Sequence, residues 1–563
     1  MKSLLLFLFI ALFSWQSYAQ DSQEENSVPA ELRRILESFD ASQTIQIGEQ
    51  DVLEPQRIVD FYTQGDFVPV WTEQGKLHPA AKEVLEAIED SKWDGLIPQE
   101  YHLEVMTKAV ELIHSSEKEL TALHQAYLDI IFTDAYFALA SDLYFGKVSQ
   151  EALKTGWRIQ TKEEKIDIGE VMKEALETGD VKSSIQKFWP RYQVYRNMRN
   201  TIKDLSAKAD IDSLSWKSVS GKLLKVGDQN KLIPEIRQRL AYWGDYSGTD
   251  LSPEMLTYDS TLREAVIRFQ ARNGLDADGV MGKDTYEALS EGPGKLVKKA
   301  AANLERLRWL PDTVIQDRFV MVNIANFHLD FLRDNGMDTL YSSRVIVGKE
   351  YHSTPVFNGE MAYLVLSPTW TVPSSIIRNE MVPKAKKDPS YLSRNHLNIL
   401  TYQGKAVSAE SIDWATVTPK TFPYMIRQSP GVFNSLGQIK FIFPNQYHVY
   451  IHDTPAKSLF DKGVRAFSHG CIRLENPQGL AEKILENDSK WTPEKIHAGM
   501  NAGKETTVML KEKIPVVLIY LTFWTDSVGN MYNRKDIYER DKEIEMAMFS
   551  DEVFLQNYKL KDK

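Results

Sequence analysis

The sequence predicts a multidomain α+β chain, with a helical N-terminal scaffold, a small three-helix module and a mostly-β C-terminal region that carries an inserted cap. Three observations predict it. Between Val52 and Ala207 apolar residues recur at three- and four-residue steps, the spacing of a helix face. Between residues 228 and 292 the helical segments shorten and Gly/Asp turns cut them apart. From Phe319 onward, short β-branched and aromatic runs alternate between turn residues, as strands do. The 563 residues leave room for roughly four domains of ~150 residues. Hydrophobic residues make up 43% and charged residues 26%, which excludes wholesale disorder, a collagen-like repeat and a polytopic membrane protein. The formal charge of -11 argues against nucleic acid as the main partner, because phosphate binding wants a positive surface.

The N-terminus opens Met1-Lys2, runs apolar from Ser3 to Trp15, and reaches Ser17-Tyr18-Ala19 before Gln20. The run is too short for a membrane span, which needs ~20 residues, and it ends in a small-x-small cleavage pattern. Residues 1–19 therefore read as a secretory signal peptide. No cysteine follows the run, so a lipoprotein anchor is excluded. No later run reaches membrane length. Val516 to Trp524 reads as a buried strand, and no stable membrane span is expected after cleavage.

Residues 20–215 are expected to form the scaffold. Ala80–Ser91 and Glu119–Leu143 carry the clearest helical patterns, the second long enough for a central helix. His102, His114 and His124 are scattered and read as surface or satisfied core histidines. In residues 228–292, Ile233–Leu240, Leu262–Gln270 and Lys283–Leu289 are the three short helices, around Leu240, Val266, Phe269, Leu275, Val280 and Leu289. Residues 296–315 contain Asn303–Pro311 (NLERLRWLP), an amphipathic linker helix closed by proline.

The β-rich region is placed at 316–525. Phe319–Ile324 and Phe327–Phe331 read as a hairpin, and Tyr341–Gly348, Glu360–Leu366, Lys440–Phe443, Val449–His452, Thr507–Leu510 and Val516–Phe523 as further strands. Residues 371–438, rich in prolines, break the β pattern and read as an insertion. Residues 526–563 form a C-terminal extension.

The one cysteine excludes an intrachain disulfide and any zinc site that needs two thiolates. No His-Glu-x-x-His occurs, so no metal or other cofactor is expected. In an exported chain a lone thiol is a liability unless it is used. Cys471 sits in Ser468-His469-Gly470-Cys471-Ile472-Arg473-Leu474, and His452 lies upstream at a strand end. An inert buried Cys favours an apolar stretch, whereas this one has Ser, His, Gly and Arg around it. A thiol nucleophile needs a base, and a nearby imidazole both deprotonates the thiol and stabilises the ion pair. Gly470 lets backbone N–H groups, those of Gly470 and Cys471, approach a developing oxyanion. Arg473 places a fixed charge suited to a carboxylate-bearing substrate.

His452, a fifteen-residue gap and Ser-His-Gly-Cys closely resemble the signature of the L,D-transpeptidases with a YkuD-type catalytic domain. Ala265-Val266, Phe269-Gln270, Gly274-Leu275, Asp278-Gly279-Val280, Gly282 and Thr285 resemble the peptidoglycan-binding domain, a three-helix module. The domain order, with Arg344–Gly348, Thr354-Pro355, Trp370–Pro373 and Asp536–Tyr538, is similar to the large YcbB-like subgroup of Gram-negative bacteria. The resemblance implies Cys471 as nucleophile and His452 as its base, oriented by a backbone carbonyl near Asp453. It implies that His469 and Gly470 shape the site, that Ser468 fixes His469, and that Tyr450 lines the pocket. Trp370 resembles a cap residue at the substrate entrance. Arg473 stands where other members carry Asn.

The resemblance further implies a periplasmic enzyme without cofactor. Cys471 would form a thioester with the third stem residue, diaminopimelate, release D-Ala, and pass the acyl group to a second stem peptide. Its partners would be peptidoglycan stem peptides and glycan, with other cell-wall synthesis proteins as candidates. Transfer to water, to a free D-amino acid or to a lipoprotein lysine stays open, as does a wall-binding scaffold without catalysis.

Overall fold

The computed structural model describes residues 27–39, 45–115, 120–150, 153, 156–210, 214, 216–314, 317–336, 338–414, 416–418 and 420–549. The expected signal peptide lies outside the described residues, as does the extension beyond 549. The chain divides into two units. One takes the described residues up to Lys92 with Ile97–Asp142 and Glu164–Phe188; the other takes Trp93–Leu96, Leu143–Glu163 and the residues from Trp189 onward. Among the described residues, no helix is long and apolar enough to cross a membrane.

The first unit contains helices α1 (Val28–Leu36), α2 (Pro55–Gln64), α3 (Ala81–Asp90), α4 (Leu103–Ser115), most of α5 (Ala122–Phe145) and α6 (Ile168–Thr178). Residues 129–140 of α5 are buried on every face, so its polar residues must find partners inside. Asp129 accepts from Tyr62, Thr72 and the Val70 and Trp71 N–H groups. Asp134 accepts from the Leu53 and Glu54 N–H groups and pairs with His102 Nε2 at 2.7 Å. His102 is thus a satisfied core histidine, and His124 bonds Thr121 at the surface. The His114 side chain lies outside the described residues.

In the second unit, α7 (Gln193–Asp210) precedes a three-helix module of α8 (Ile233–Tyr242), α9 (Ser260–Arg272) and α10 (Lys283–Leu289). Its core holds Ile236, Leu240, Leu262, Val266, Phe269, Met281 and Leu289. Leu275 and Val280, expected in that core, are only half-buried. The turn explains it: Gly279 at φ 71° swings the chain out, and Gln270 inside takes the Val280 carbonyl and the Gly279 N–H. Arg237, fully buried, ties the long 244–258 loop through the Met255 and Thr257 carbonyls and Asp259.

The next helix, α11 (Pro293–Arg308), corrects an expectation. It is no amphipathic linker, because every residue from Lys299 to Arg308 is buried. Its polar side chains each find a partner, with Nη2 of Arg306 alone left over among the described side-chain atoms of the helix. Lys299 donates to Asn533 and the Arg534 carbonyl, Asn303 to Thr522, and Arg306 to Asp541. Glu305 takes Arg308, the Trp309 indole and the Val148 N–H.

Beyond it lies a strand barrel: β1 (Arg318–Asn323), β2 (His328–Arg333), β3 (Asp338–Gly348), β4 (Phe357–Leu366), then a cap with β5 (Trp370–Thr371), β6 (Leu397–Leu400), β7 (Ala406–Val407) and β8 (Met425–Gln428). The barrel resumes with β9 (Ile439–Ile442), β10 (Ile451–His452), β11 (Ala466–Ser468), β12 (Ile472–Leu474) and β13 (Thr506–Ile519). The strand order is β11-β3-β12-β10-β9-β4-β13-β1-β2, and β2 also pairs with β3. That last pairing closes the sheet into a barrel, with β11 attached through β3 alone. The cap leaves between β4 and β9, which are themselves paired. It holds a sheet of its own, the four-stranded β7-β6-β8-β5. Val382, Ala385, Leu392, Ile399 and Ile426 form its own core. The described prolines lie outside these strands, in loops and helix starts, so they end the barrel pattern without preventing a small sheet.

Candidate active site

Two short parallel strands set the site. In β10 and β12, Ile451 pairs with Ile472 and His452 with Arg473. Paired residues share a side of the sheet and successive residues alternate. Ile451 and Ile472 point together into the core, both fully buried. Tyr450, His452, Cys471 and Arg473 take the opposite side. The Tyr450 and His452 rings lie 5.5 Å apart, and Tyr450 draws the pKa of the Cys471 thiol down.

His452 is buried, and its Nδ1 donates to the Asp453 carbonyl. A carbonyl only accepts, so in the neutral ring Nε2 is left as the acceptor. Burial first, then the positive Arg473, hold its pKa down to about 3 against the pull of the Asp453 and Leu436 carbonyls. Burial likewise pushes the Cys471 thiol above its usual value, with Tyr450 and Arg473 opposing. Both shifts run against the expected ion pair, and the half-buried thiol donates to the His448 carbonyl at 3.6 Å, not to the imidazole.

The Asp453 side chain acts on the frame. It accepts from the Gln438 N–H and from Lys457 Nζ, holding the β9 and β10 ends together.

The Ser468–Cys471 turn differs from expectation in two details. Ser468 does not fix His469: its hydroxyl donates to the Cys471 carbonyl and accepts the Gly470 N–H at 3.1 Å. That bond commits the Gly470 N–H, expected to face an oxyanion, to the turn itself. The Cys471 N–H has no acceptor among the described residues. Gly470 sits at φ 109°, which side-chain-bearing residues rarely adopt.

His469 turns toward the cap. Its Nε2 pairs with Glu380 at 2.7 Å, and its ring stacks on His352 with centroids 5.0 Å apart. Neither Glu380 nor His352 was expected here. Both are far from the motif in sequence, and no local pattern marks them. Trp370 packs against the cap core. Among the described residues no hydrogen bond or ring contact links it to the Cys471 cluster. Arg473 carries a buried Nε with no partner. Burial draws its pKa below the usual value, with the Cys471 charge opposing.

Residues 56–202 match a "Scaffold domain", residues 229–289 a "Putative peptidoglycan binding domain", and residues 317–498 the "L,D-transpeptidase catalytic domain". A "Putative L,D-transpeptidase" of Haemophilus influenzae is 37% identical over 252 residues, 45% of this chain and 50% of that protein. The "N-acetylmuramoyl-L-alanine amidase CwlM" of Mycobacterium tuberculosis is 35% identical over 82 residues, 14% of this chain and 20% of that protein. The chain thus spans half the length of one curated relative and a fifth of the other. The crystal structure of an L,D-transpeptidase from Stackebrandtia nassauensis aligns over 53% of this chain and 94% of that one, at 13% identity. Its TM-score of 0.21 is too low to carry an argument. Residues 317–498, which hold β10 and β12, thus match the L,D-transpeptidase catalytic domain of the YkuD type, and matches to a peptidoglycan-binding domain and a scaffold domain precede them.

Proposed function

We propose that this protein cross-links peptidoglycan by joining the third residues of two stem peptides. The observation that supports it most is the gathering of Tyr450, His452, Cys471 and Arg473 on one side of a parallel strand pair. His452 Nε2 takes the thiol proton as Cys471 Sγ attacks the carbonyl of the third donor residue, diaminopimelate. A C–S bond forms, and the electron pair moves to oxygen beside the Cys471 N–H. The tetrahedral species collapses, the C–N bond breaks, and D-Ala leaves with the proton from His452. The side-chain amine of a second stem peptide then attacks the thioester, gives its proton to His452, and releases the thiol. Arg473 is the cation in reach of a donor carboxylate. Tyr450 and Trp370 bound the donor and the entrance, while Ser468, His469 and Gly470 hold the turn.

In this reading residues 1–19 direct export to the periplasm, and the three-helix module holds glycan near the catalytic domain. The test is product analysis after incubation with disaccharide-tetrapeptides. Cross-linked dimers from wild type and none from Cys471→Ala are expected. Tripeptides alone would replace the proposal with hydrolysis of the same bond. No turnover would leave a wall-binding scaffold.

A further inference from the structure

We propose that Thr354 is a positioning residue for acyl transfer: its hydroxyl, braced by the C-terminal segment 536–540, aims the Cys471 N–H at the developing oxyanion. The inference rests on the acyl-transfer reading above. Thr354 is fully buried, and its hydroxyl accepts the Gly348 N–H at 2.9 Å while donating to the Gly470 carbonyl at 3.0 Å. The Gly470 carbonyl and the Cys471 N–H belong to one trans peptide, so they point in opposite directions. Holding the carbonyl therefore fixes where the N–H points. The restraint has something to do, because glycine leaves this peptide plane free to rotate. It also matters chemically. With the Gly470 N–H committed to Ser468, the Cys471 N–H is the amide of this turn left for an oxyanion. A proton donated to the carbonyl also polarises the same amide.

The other side of Thr354 is equally built. A methyl on Gly348 would lie 2.1 Å from the His352 carbonyl and 3.0 Å from the Thr354 nitrogen, so the 349–354 loop folds tightly back on the end of β3. Tyr538 closes that loop, accepting the Thr354 N–H at 3.3 Å and donating to the Gly348 carbonyl at 2.5 Å. Arg540 donates to the Thr354 carbonyl at 3.3 Å and lies 4.7 Å from the Tyr538 ring centroid. Asp536 accepts from Tyr520 and from the Arg540 N–H, and the Tyr520 and Tyr538 rings stack 5.6 Å apart. Thr354-Pro355 and Asp536–Tyr538, two motifs far apart in sequence, converge on the peptide beside the thiol.

The experiment compares two reactions of the same thiol in the full-length protein. A carbapenem acylates it through a tetrahedral oxyanion; iodoacetamide alkylates it without one. Thr354→Val should slow acylation by about tenfold or more, alkylation should stay within about twofold of wild type, and Thr354→Ser should acylate nearly as wild type does. Wild-type acylation by Thr354→Val, or a parallel loss of both reactions, would overturn the inference. If Thr354→Val does not fold, Thr354→Ala is judged by the same two rates. A wild-type protein that forms no adduct would overturn the acyl-transfer reading itself, and this inference with it.

Discussion

Acidification to pH 5 should leave the acylation of Cys471 almost unchanged. The controlling group is His452, whose pKa is held down to about 3 by burial and then by Arg473. An imidazole with the ordinary value of about 6.5 would be roughly 97% protonated at pH 5, and a rate that needs the neutral ring would fall about 30-fold. With a pKa near 3 the ring stays about 99% neutral at pH 5. The assay is the rate of carbapenem acylation from pH 8 to pH 4, read by intact mass, with circular dichroism at each pH to register unfolding. Protonation of His452 also bears on stability. The folded pKa lies below the unfolded one, so the unfolded chain binds more protons between about pH 3 and 6.5. The contribution of His452 to stability is complete above pH 6.5 and is lost as pH falls toward 3, by up to about 1.4 kcal/mol per pH unit. An acid limb with its midpoint between pH 6 and 7, in protein that is still folded, would refute the claim of a buried, neutral base.

Three further outcomes are expected. Arg473→Met should lower kcat/KM for a carboxylate-bearing donor by about ten- to a hundredfold, mainly through KM, while Tm holds or rises because a half-buried guanidinium whose Nε has no partner is gone; unchanged kinetics with a lower Tm would contradict this. Glu305→Ala strands the buried Arg308 and should cost about 3–5 kcal/mol in urea unfolding; a loss under about 1 kcal/mol would mean that α11 is not held as described. Gly348→Ala sets a methyl 2.1 Å from the His352 carbonyl, so it should lose about 1–3 kcal/mol and most of its acylation, and a variant with normal Tm and rate would contradict the packing.

The parts of the site that could be read from the sequence are those set by short-range order. Cys471 and His452 stand out because a lone thiol beside Ser, His, Gly and Arg has few structural explanations. A strand ending at His452 follows from the composition of Val449–His452, but the pairing of Ile451 and His452 with Ile472 and Arg473, which gathers the four side chains, is a long-range register. Hydrogen-bond direction was equally out of reach: Ser468 could as well have served His469, and only the turn geometry turns its hydroxyl to the Gly470 N–H. Thr354, Tyr538 and Glu380 meet the motif through tertiary structure. Helix α11 misled for a physical reason. Its Lys, Glu and Arg residues look like a solvated face until Asn533, Thr522 and Asp541 arrive from the far end of the chain. The barrel's closure through the β2–β3 pairing has no local signature either, and neither has the small sheet inside the proline-rich cap.

The most direct test of acyl transfer through Cys471 is the mass of the protein trapped during reaction with a disaccharide-tetrapeptide donor. The account predicts one adduct, equal to the donor minus D-Ala, mapped to Cys471 and absent from Cys471→Ala. No adduct on the native protein, or one that survives Cys471→Ala, would contradict it.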